Sequence, residues 1–251
     1  MGNEGLNLLA ACLLLLPVIS SGVLSKDHLV IERKLGGYGF HRDLETIIHL
    51  PNKLRKHMAS SGCNLLVYQN LPSGVYADPF QVQSLKQFGL PEIVFDRNVD
   101  IEAAEYASKA HELFMFVELS TYRPHKITGH LNIEIVLPIH ARYHAPSSDE
   151  ASSEPRARIS ILHPGLYSNC SQPDMNNILR APCSSTNSTY CDWVQVSYIS
   201  YSPQVEMSIP VGEEKHKALV VSTSLAVTAL IFAWLCRTIY TSKINLPHKE
   251  S

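Results

Sequence analysis

Leu131–Tyr143, LNIEIVLPIHARY, decides the fold class. Leu131, Ile133, Ile135, Leu137, Ile139, Ala141 and Tyr143 alternate with Asn132, Glu134, Val136, Pro138, His140, Arg142 and His144. A period of two held over thirteen residues is the signature of a strand with one face on a core and the other in water. Pro138 belongs to the polar set and has no N–H for a ladder, so it marks either an edge position or a bulge dividing two shorter strands. Val205, Met207, Ile209 and Val211 repeat the alternation near the C-terminus. Leu44–Leu50, Asn64–Gln69, His111–Leu119, Arg156–Leu162 and Asp192–Tyr201 read as further strands, and Gln81–Phe88 and Glu102–Ala110 as short helices. Tyr167–Tyr190 reads as mostly irregular, and Ala145–Pro155 as a solvated loop. Strands separated by turn signals give a mainly β fold, an antiparallel sandwich-like body.

Two apolar stretches frame that body. Ala218–Cys236, ALVVSTSLAVTALIFAWLC, carries no charge, and its polar residues are small hydroxyls that can bond back to their own helix. Nineteen residues at a rise of about 1.5 Å give a helix of about 28 Å, close to the hydrocarbon thickness of a bilayer. Trp234 and Tyr240 toward its far end, followed by Arg237 and Lys243, suit a membrane–water boundary. Leu8–Ile19 is shorter, of the length of a signal-peptide apolar segment, and Ser20, Ser21 and Gly22 follow it as small residues that suit cleavage. The expected organisation is a signal peptide at 1–22, a lumenal β-rich domain at 23–217, a transmembrane helix at 218–236 and a cytosolic tail at 237–251. That is a single-pass type I membrane protein.

Asn169-Cys170-Ser171 and Asn187-Ser188-Thr189 are N-glycosylation acceptors, consistent with export, so Asn169 and Asn187 are candidate glycan sites. With Cys12 in the leader and Cys236 in the apolar helix, Cys63, Cys170, Cys183 and Cys191 remain for two disulfides with three possible pairings. Cys183 and Cys191 could close a short loop around Asn187. Spacings for a structural zinc site are absent from the sequence, and no metal or cofactor is expected. The formal net charge of −2, without a basic block, leaves no footprint for nucleic acid.

Catalytic patterns are sparse. The sequence has no G-x-S-x-G elbow, no phosphate-cradling loop and no HExxH helix. His140 and His144 have the spacing of a helical metal pair but lie in a strand pattern, where they do not converge. Gly36-Gly37-Tyr38-Gly39 reads as a turn. Asp43 and Glu45 share a strand face and could in principle serve as acid and base, yet solvated strand faces ordinarily carry such residues.

Five islands, in order, carry a resemblance: Phe40-His41-Arg42-Asp43-Leu44, Leu71–Phe80 (LPSGVYADPF), Asp100-Ile101-Glu102-Ala103, Leu137–Pro146 (LPIHARYHAP), and Ile209-Pro210-Val211-Gly212 before the span. The chain resembles the PIG-X family, the non-catalytic subunit of glycosylphosphatidylinositol (GPI) mannosyltransferase I. The resemblance implies a protein of the endoplasmic reticulum membrane that stabilises a multispanning PIG-M-like catalytic partner. That partner transfers the first mannose from dolichol-phosphate-mannose to the GPI precursor. On this reading His41, Arg42, Asp43, His140, Arg142 and His144 are candidates for partner contact or for a buried polar network that positions the motif segments. The rival readings are a cell-surface receptor or adhesion ectodomain, and a lumenal enzyme in its own right.

Overall fold

A computed structural model describes residues 28–127, 129–148, 154–170, 177–186, 189–202 and 204–244. In chain order its elements are β1 (Val30–Gly36), β2 (His41–Leu50), α1 (Asn52–Ser60), β3 (Leu65–Leu71), β4 (Val75–Tyr76), α2 (Pro79–Leu85), β5 (Glu92–Phe95) and β6 (His111–Val117). Then come β7 (Leu131–Ala141), β8 (Arg156–Ile161), β9 (Gly165–Ser168), β10 (Ile178–Pro182), β11 (Tyr190–Gln195), β12 (Ile199–Ser200), β13 (Val205–Pro210) and α3 (Lys217–Ile244).

The alternation in β7 does what its chemistry demands: Leu131, Ile133, Ile135, Leu137, Ile139 and Ala141 are all buried. Its antiparallel neighbour β2 turns Leu44, Thr46, Ile48 and Leu50 to the same side. These strands belong to a five-stranded sheet of order β12-β1-β2-β7-β4, which faces a six-stranded sheet of order β10-β11-β9-β3-β6-β5, with β13 and β8 paired beside them. The pairs are antiparallel apart from β1 with β12. The mainly β, sandwich-like body is therefore present.

Its core has two apolar halves. One joins Ile31, Ile48 and Ile133 to Leu65, Val67 and Met115, around the Cys63–Cys170 disulfide. The other joins Leu44, Leu137 and Ile139 to Leu113, Ile159 and Ile209. Each such side chain taken fully from water contributes about 1.5–3 kcal/mol. A third, smaller cluster lies on the other face of the six-stranded sheet, where Trp193 packs with Leu66 and Phe114 and donates its indole N–H to Pro182 O at 3.1 Å.

Several expectations need correction. Pro138 neither breaks β7 nor forms a bulge. Ala141 N–H donates to Phe40 O on the β2 side at 2.7 Å, so the even-numbered Pro138 aims its ring nitrogen at the opposite edge, where β4 pairs only with His140 and Ala141. Asp192–Tyr201 is two strands in two sheets, because the chain crosses at Val196–Tyr198, which pack into the first core half. Glu102–Ala110 holds only a single 3-10 turn, Glu105–Ala107. Tyr167–Tyr190 contains β10 and the end of β9. The expected helix near Gln81 is α2: Asp78 caps it, accepting from Phe80 N–H at 2.9 Å, and Pro79 supplies a pre-set φ at its start. Beyond α2 a 3-10 turn ends at Gly89, whose φ of 98° needs glycine.

The apolar helix extends past the expected 236 to Ile244, and among the described residues it is long and apolar enough to cross a membrane. Thr223 and Thr228 bond back to Leu219 O and Ser224 O, each at 2.8 Å, which removes their hydroxyls from an apolar surrounding. The leader at 1–22, Asn187 and the tail beyond Ile244 lie outside the described residues.

Candidate functional site

The chain brings its motif islands together where β7 ends. Three successive backbone groups make the junction. Ala141 N–H donates to Phe40 O, Arg142 N–H donates to Gly74 O at 2.8 Å, and Tyr143 O accepts from Glu105 N–H at 2.9 Å. Each bond reaches a different segment: the β1–β2 turn, the turn before β4, and the 99–108 stretch.

The side chains repeat this convergence. His41 and His140 are direct cross-strand partners with ring centroids 4.6 Å apart, edge to face. Tyr76 stacks on His140 at 5.1 Å, and the Arg142 guanidinium lies 4.5 Å from the centre of the same tyrosine ring. His140 Nε2 is 2.7 Å from Gln81 Oε1, an acceptor, which assigns the proton to Nε2. Burial lowers the His140 pKa, the neighbouring His41 adds to that, and Asp78 opposes it. The downward shift favours the neutral imidazole, which donates through Nε2–H to Gln81 while stacking on Tyr76.

Arg142 is the centre of the arrangement. It is 4% exposed, and its Nη1 donates to Asp100 O at 2.6 Å and Ala103 O at 2.7 Å. Ala103 belongs to the segment expected to be helical and Asp100 lies just before it; turned toward a guanidinium, the Ala103 carbonyl is withdrawn from helical bonding. Burial lowers the Arg142 pKa, opposed by Tyr76 and Asp100. Ser73 Oγ donates to Glu105 Oε1 at 3.0 Å and Ser108 Oγ donates to Ser73 O at 2.8 Å, fastening the same segment from its other side.

Of the residues singled out in the sequence, His41, His140, Arg142 and His144 meet here. His144 Nδ1 contacts Arg142 O at 2.9 Å. Gly74 does not adopt a positive φ; it is glycine because a Cβ would lie 3.0 Å from His144 Nε2 and 3.2 Å from Ile159 Cγ1. Arg42 turns away to close the β1–β2 turn through Gly37 O and Gly39 O, which confirms Gly36–Gly39 as a turn. Asp43 is exposed beside a groove of about 510 Å³ between α2 and the outer sheet face, lined also by Gln81, Phe88, Val136 and Pro138. Glu45 is engaged by Lys34 at 2.7 Å.

The pairings Cys63–Cys170 and Cys183–Cys191 select one of the three disulfide arrangements. Asn169 is exposed, with its Oδ1 accepting from Asn64 N–H at 2.7 Å. Sequence reasoning did not single out Tyr76, Gln81 or His111 as members of the site. His111 is 2% exposed, stacks on Phe95 and shares with Arg142 a cavity of about 210 Å³. Burial above all, and then Arg142, hold its pKa down at about 4. Its place at the start of a strand gave no signal of this.

The sequence model of the PIG-X / PBN1 family matches residues 37–240. The chain belongs to the PIG-X/PBN1 family. Three relatives are named "GPI alpha-1,4-mannosyltransferase I, stabilizing subunit". The one from Homo sapiens is 30% identical over 211 residues, covering 81% of this chain and 77% of its own. Those from Rattus norvegicus and Mus musculus are each 26% identical over 211 residues, covering 81% of this chain and 79% and 78% of theirs. No solved structure gives a significant match. The PIG-X/PBN1 match opens in the β1–β2 turn and closes within α3, so it takes in the whole network and the apolar helix. In this PIG-X/PBN1 chain most of the network's donors and acceptors engage one another or backbone carbonyls, while Arg142 Nε and His111 Nε2 are buried without a hydrogen-bond partner among the described residues. That arrangement holds segments in place; it does not present a paired nucleophile and base.

Proposed function

We propose that the chain is the non-catalytic stabilising subunit of a GPI mannosyltransferase I in the endoplasmic reticulum membrane. Its partner on this reading is a PIG-M-like multispanning catalytic subunit, which adds the first mannose from dolichol-phosphate-mannose to the GPI precursor. A signal peptide at 1–22 leads a lumenal body at 23–217, one span at 218–236 and a cytosolic tail at 237–251, with glycans on Asn169 and Asn187. The observation that carries the reading is the convergence of the motif segments on Arg142 and His140 in a PIG-X/PBN1 chain whose relatives are named as stabilising subunits. The network acts as a scaffold: by fixing the β1–β2 turn, the 99–108 stretch and α2 relative to one another, it gives their outer surfaces one shape, and a preorganised surface binds a partner at lower ordering cost.

The test is complementation of cells lacking this chain, followed by mild-detergent purification of the tagged full chain. The expected result is co-purification of a multispanning mannosyltransferase, with dolichol-phosphate-mannose-dependent transfer in the eluate. That transfer is lost when the partner is inactivated while this chain is intact. Isolation of the chain alone from cells that make GPI anchors equally well without it would overturn the proposal.

A further inference from the structure

The body and the apolar helix are joined without slack. Ser147 N–H donates to Gly212 O at 2.8 Å, Ser147 O accepts from Glu214 N–H at 3.0 Å, and Ser147 bridges Glu213 in parallel register. Glu214–His216 then form a 3-10 turn that runs directly into α3, whose charge-free run starts at Ala218. Four helical residues at about 1.5–2.0 Å each separate this clasp from the apolar run by about 6–8 Å. A bilayer of about 40–45 Å with a hydrocarbon core of about 30 Å leaves about 5–8 Å of headgroup region on each side. With α3 spanning, the clasp sits at headgroup depth and cannot lift the body away.

The clasped end is the end where β1, β7 and β13 finish and β2 begins, since Leu35, Phe40 and Ala157 pack around Ile139, Ala141 and Ile209 there. Large aromatic rings stand out from it: Tyr38 at the tip of the β1–β2 turn is 94% exposed, Tyr143 after β7 is 77%, Tyr106 in the 3-10 turn hydrogen-bonded to Tyr143 is 74%, and Phe80 at the start of α2 is 75%. Tyr143 leans on Phe40 with centroids 5.3 Å apart, so these rings are seated on the fold. Rings with an apolar body and, in tyrosine, a polar tip concentrate at membrane–water boundaries.

We propose that this end of the body rests in the headgroup layer of the membrane that α3 crosses, with Tyr38, Tyr106 and Tyr143 as its interfacial contacts. The bilayer is the occupant because the clasp fixes the depth independently of any partner protein. The inference rests on the spanning reading of α3 above.

The test uses the full chain, reconstituted without a partner in phosphatidylcholine nanodiscs, with Cys12→Ser and Cys236→Ser removing the two cysteines outside the disulfides. Single nitroxide labels are placed through Tyr38→Cys, Tyr106→Cys and Tyr143→Cys, with Tyr201→Cys as an exposed control on the body and Ala226→Cys inside α3. Accessibility to oxygen is compared with that to a water-soluble nickel chelate. The expected oxygen-to-nickel ratio at positions 38, 106 and 143 is severalfold above that at 201 and below that at 226. Ratios at 38, 106 and 143 equal to that at 201, with 226 protected, would overturn the headgroup placement alone. A water-accessible 226 would overturn the spanning reading and this inference with it.

Discussion

Arg142 is a buried cation that makes no ion pair among the described residues; two carbonyl oxygens and a tyrosine face meet its charge. A lysine at that position brings a compact charge that cannot bridge both carbonyls in the plane of a fork while stacking on Tyr76. Arg142→Lys is therefore expected to lose about 2–4 kcal/mol, since the carbonyls of Asp100 and Ala103 lose charge-assisted donors. Limited proteolysis should cut within 97–109 before the rest of the body in this variant. Gly74→Ala should cost about 1–3 kcal/mol by overpacking against His144 and Ile159, read as a lower denaturant midpoint at unchanged slope. His111 adds a pH dependence. Its folded pKa of about 4 lies below the ordinary histidine value of 6.5, so the unfolded chain binds the extra proton between those values. The stability that its neutral burial provides is complete above about pH 6.5 and is lost as the pH falls toward about 4, by at most about 3 kcal/mol. A His111→Gln variant should flatten the wild-type stability slope across that interval; an unchanged slope would assign the acid sensitivity elsewhere.

At the scale of elements, what the sequence announced was whatever a half-buried sheet must announce. β2, β7 and β13 showed their alternation because one face of each meets the core while the other meets water. α2 showed itself through Asp78 and Pro79, a cap written in two adjacent residues. α1 stayed hidden because only Met58, and partly Leu54, face the core, too few for a helical stripe. β9 and β10 are four and five residues long; β9 pairs with the distant β3, and β10 pairs with β11 across the loop closed by Cys183–Cys191. The 99–110 stretch misled because its shape is set by an arginine 39–42 residues away, a tertiary decision that no local pattern contains. His41, His140 and Arg142 were recoverable as candidates, but their geometry was not. The disulfides carry a prediction at this scale. Cys63–Cys170 spans 107 residues and Cys183–Cys191 only 8, so in the chain-entropy account the first restricts the unfolded chain far more. Replacing the first pair by serine should cost about 4–5 kcal/mol and the second about 2–3 kcal/mol, compared by denaturant unfolding under non-reducing conditions.

For the molecule as a whole, the clasp at Ser147 decides whether body and span act as one object. If the partner is held by both together, the distance between them matters independently of the stability of either. Inserting six Gly/Ser residues between Glu214 and Lys217 leaves the Ser147 bonds to Gly212 and Glu214 intact and adds a flexible tether of about 12–15 Å between clasp and membrane. The body of this variant should unfold at the same denaturant concentration as the parent, and the chain should still be extracted only by detergent. In cells lacking the parent chain, however, the level of the mannosyltransferase catalytic subunit and the surface display of GPI-anchored proteins should both fall well below those restored by the unmodified chain. A six-residue insertion between the exposed Arg123 and Pro124, before the start of β7 and so at the opposite end of that strand from the clasp, is the control that should restore both. Equal rescue by the two insertions would place partner stabilisation in the body or the span alone, and their spacing would then carry no function.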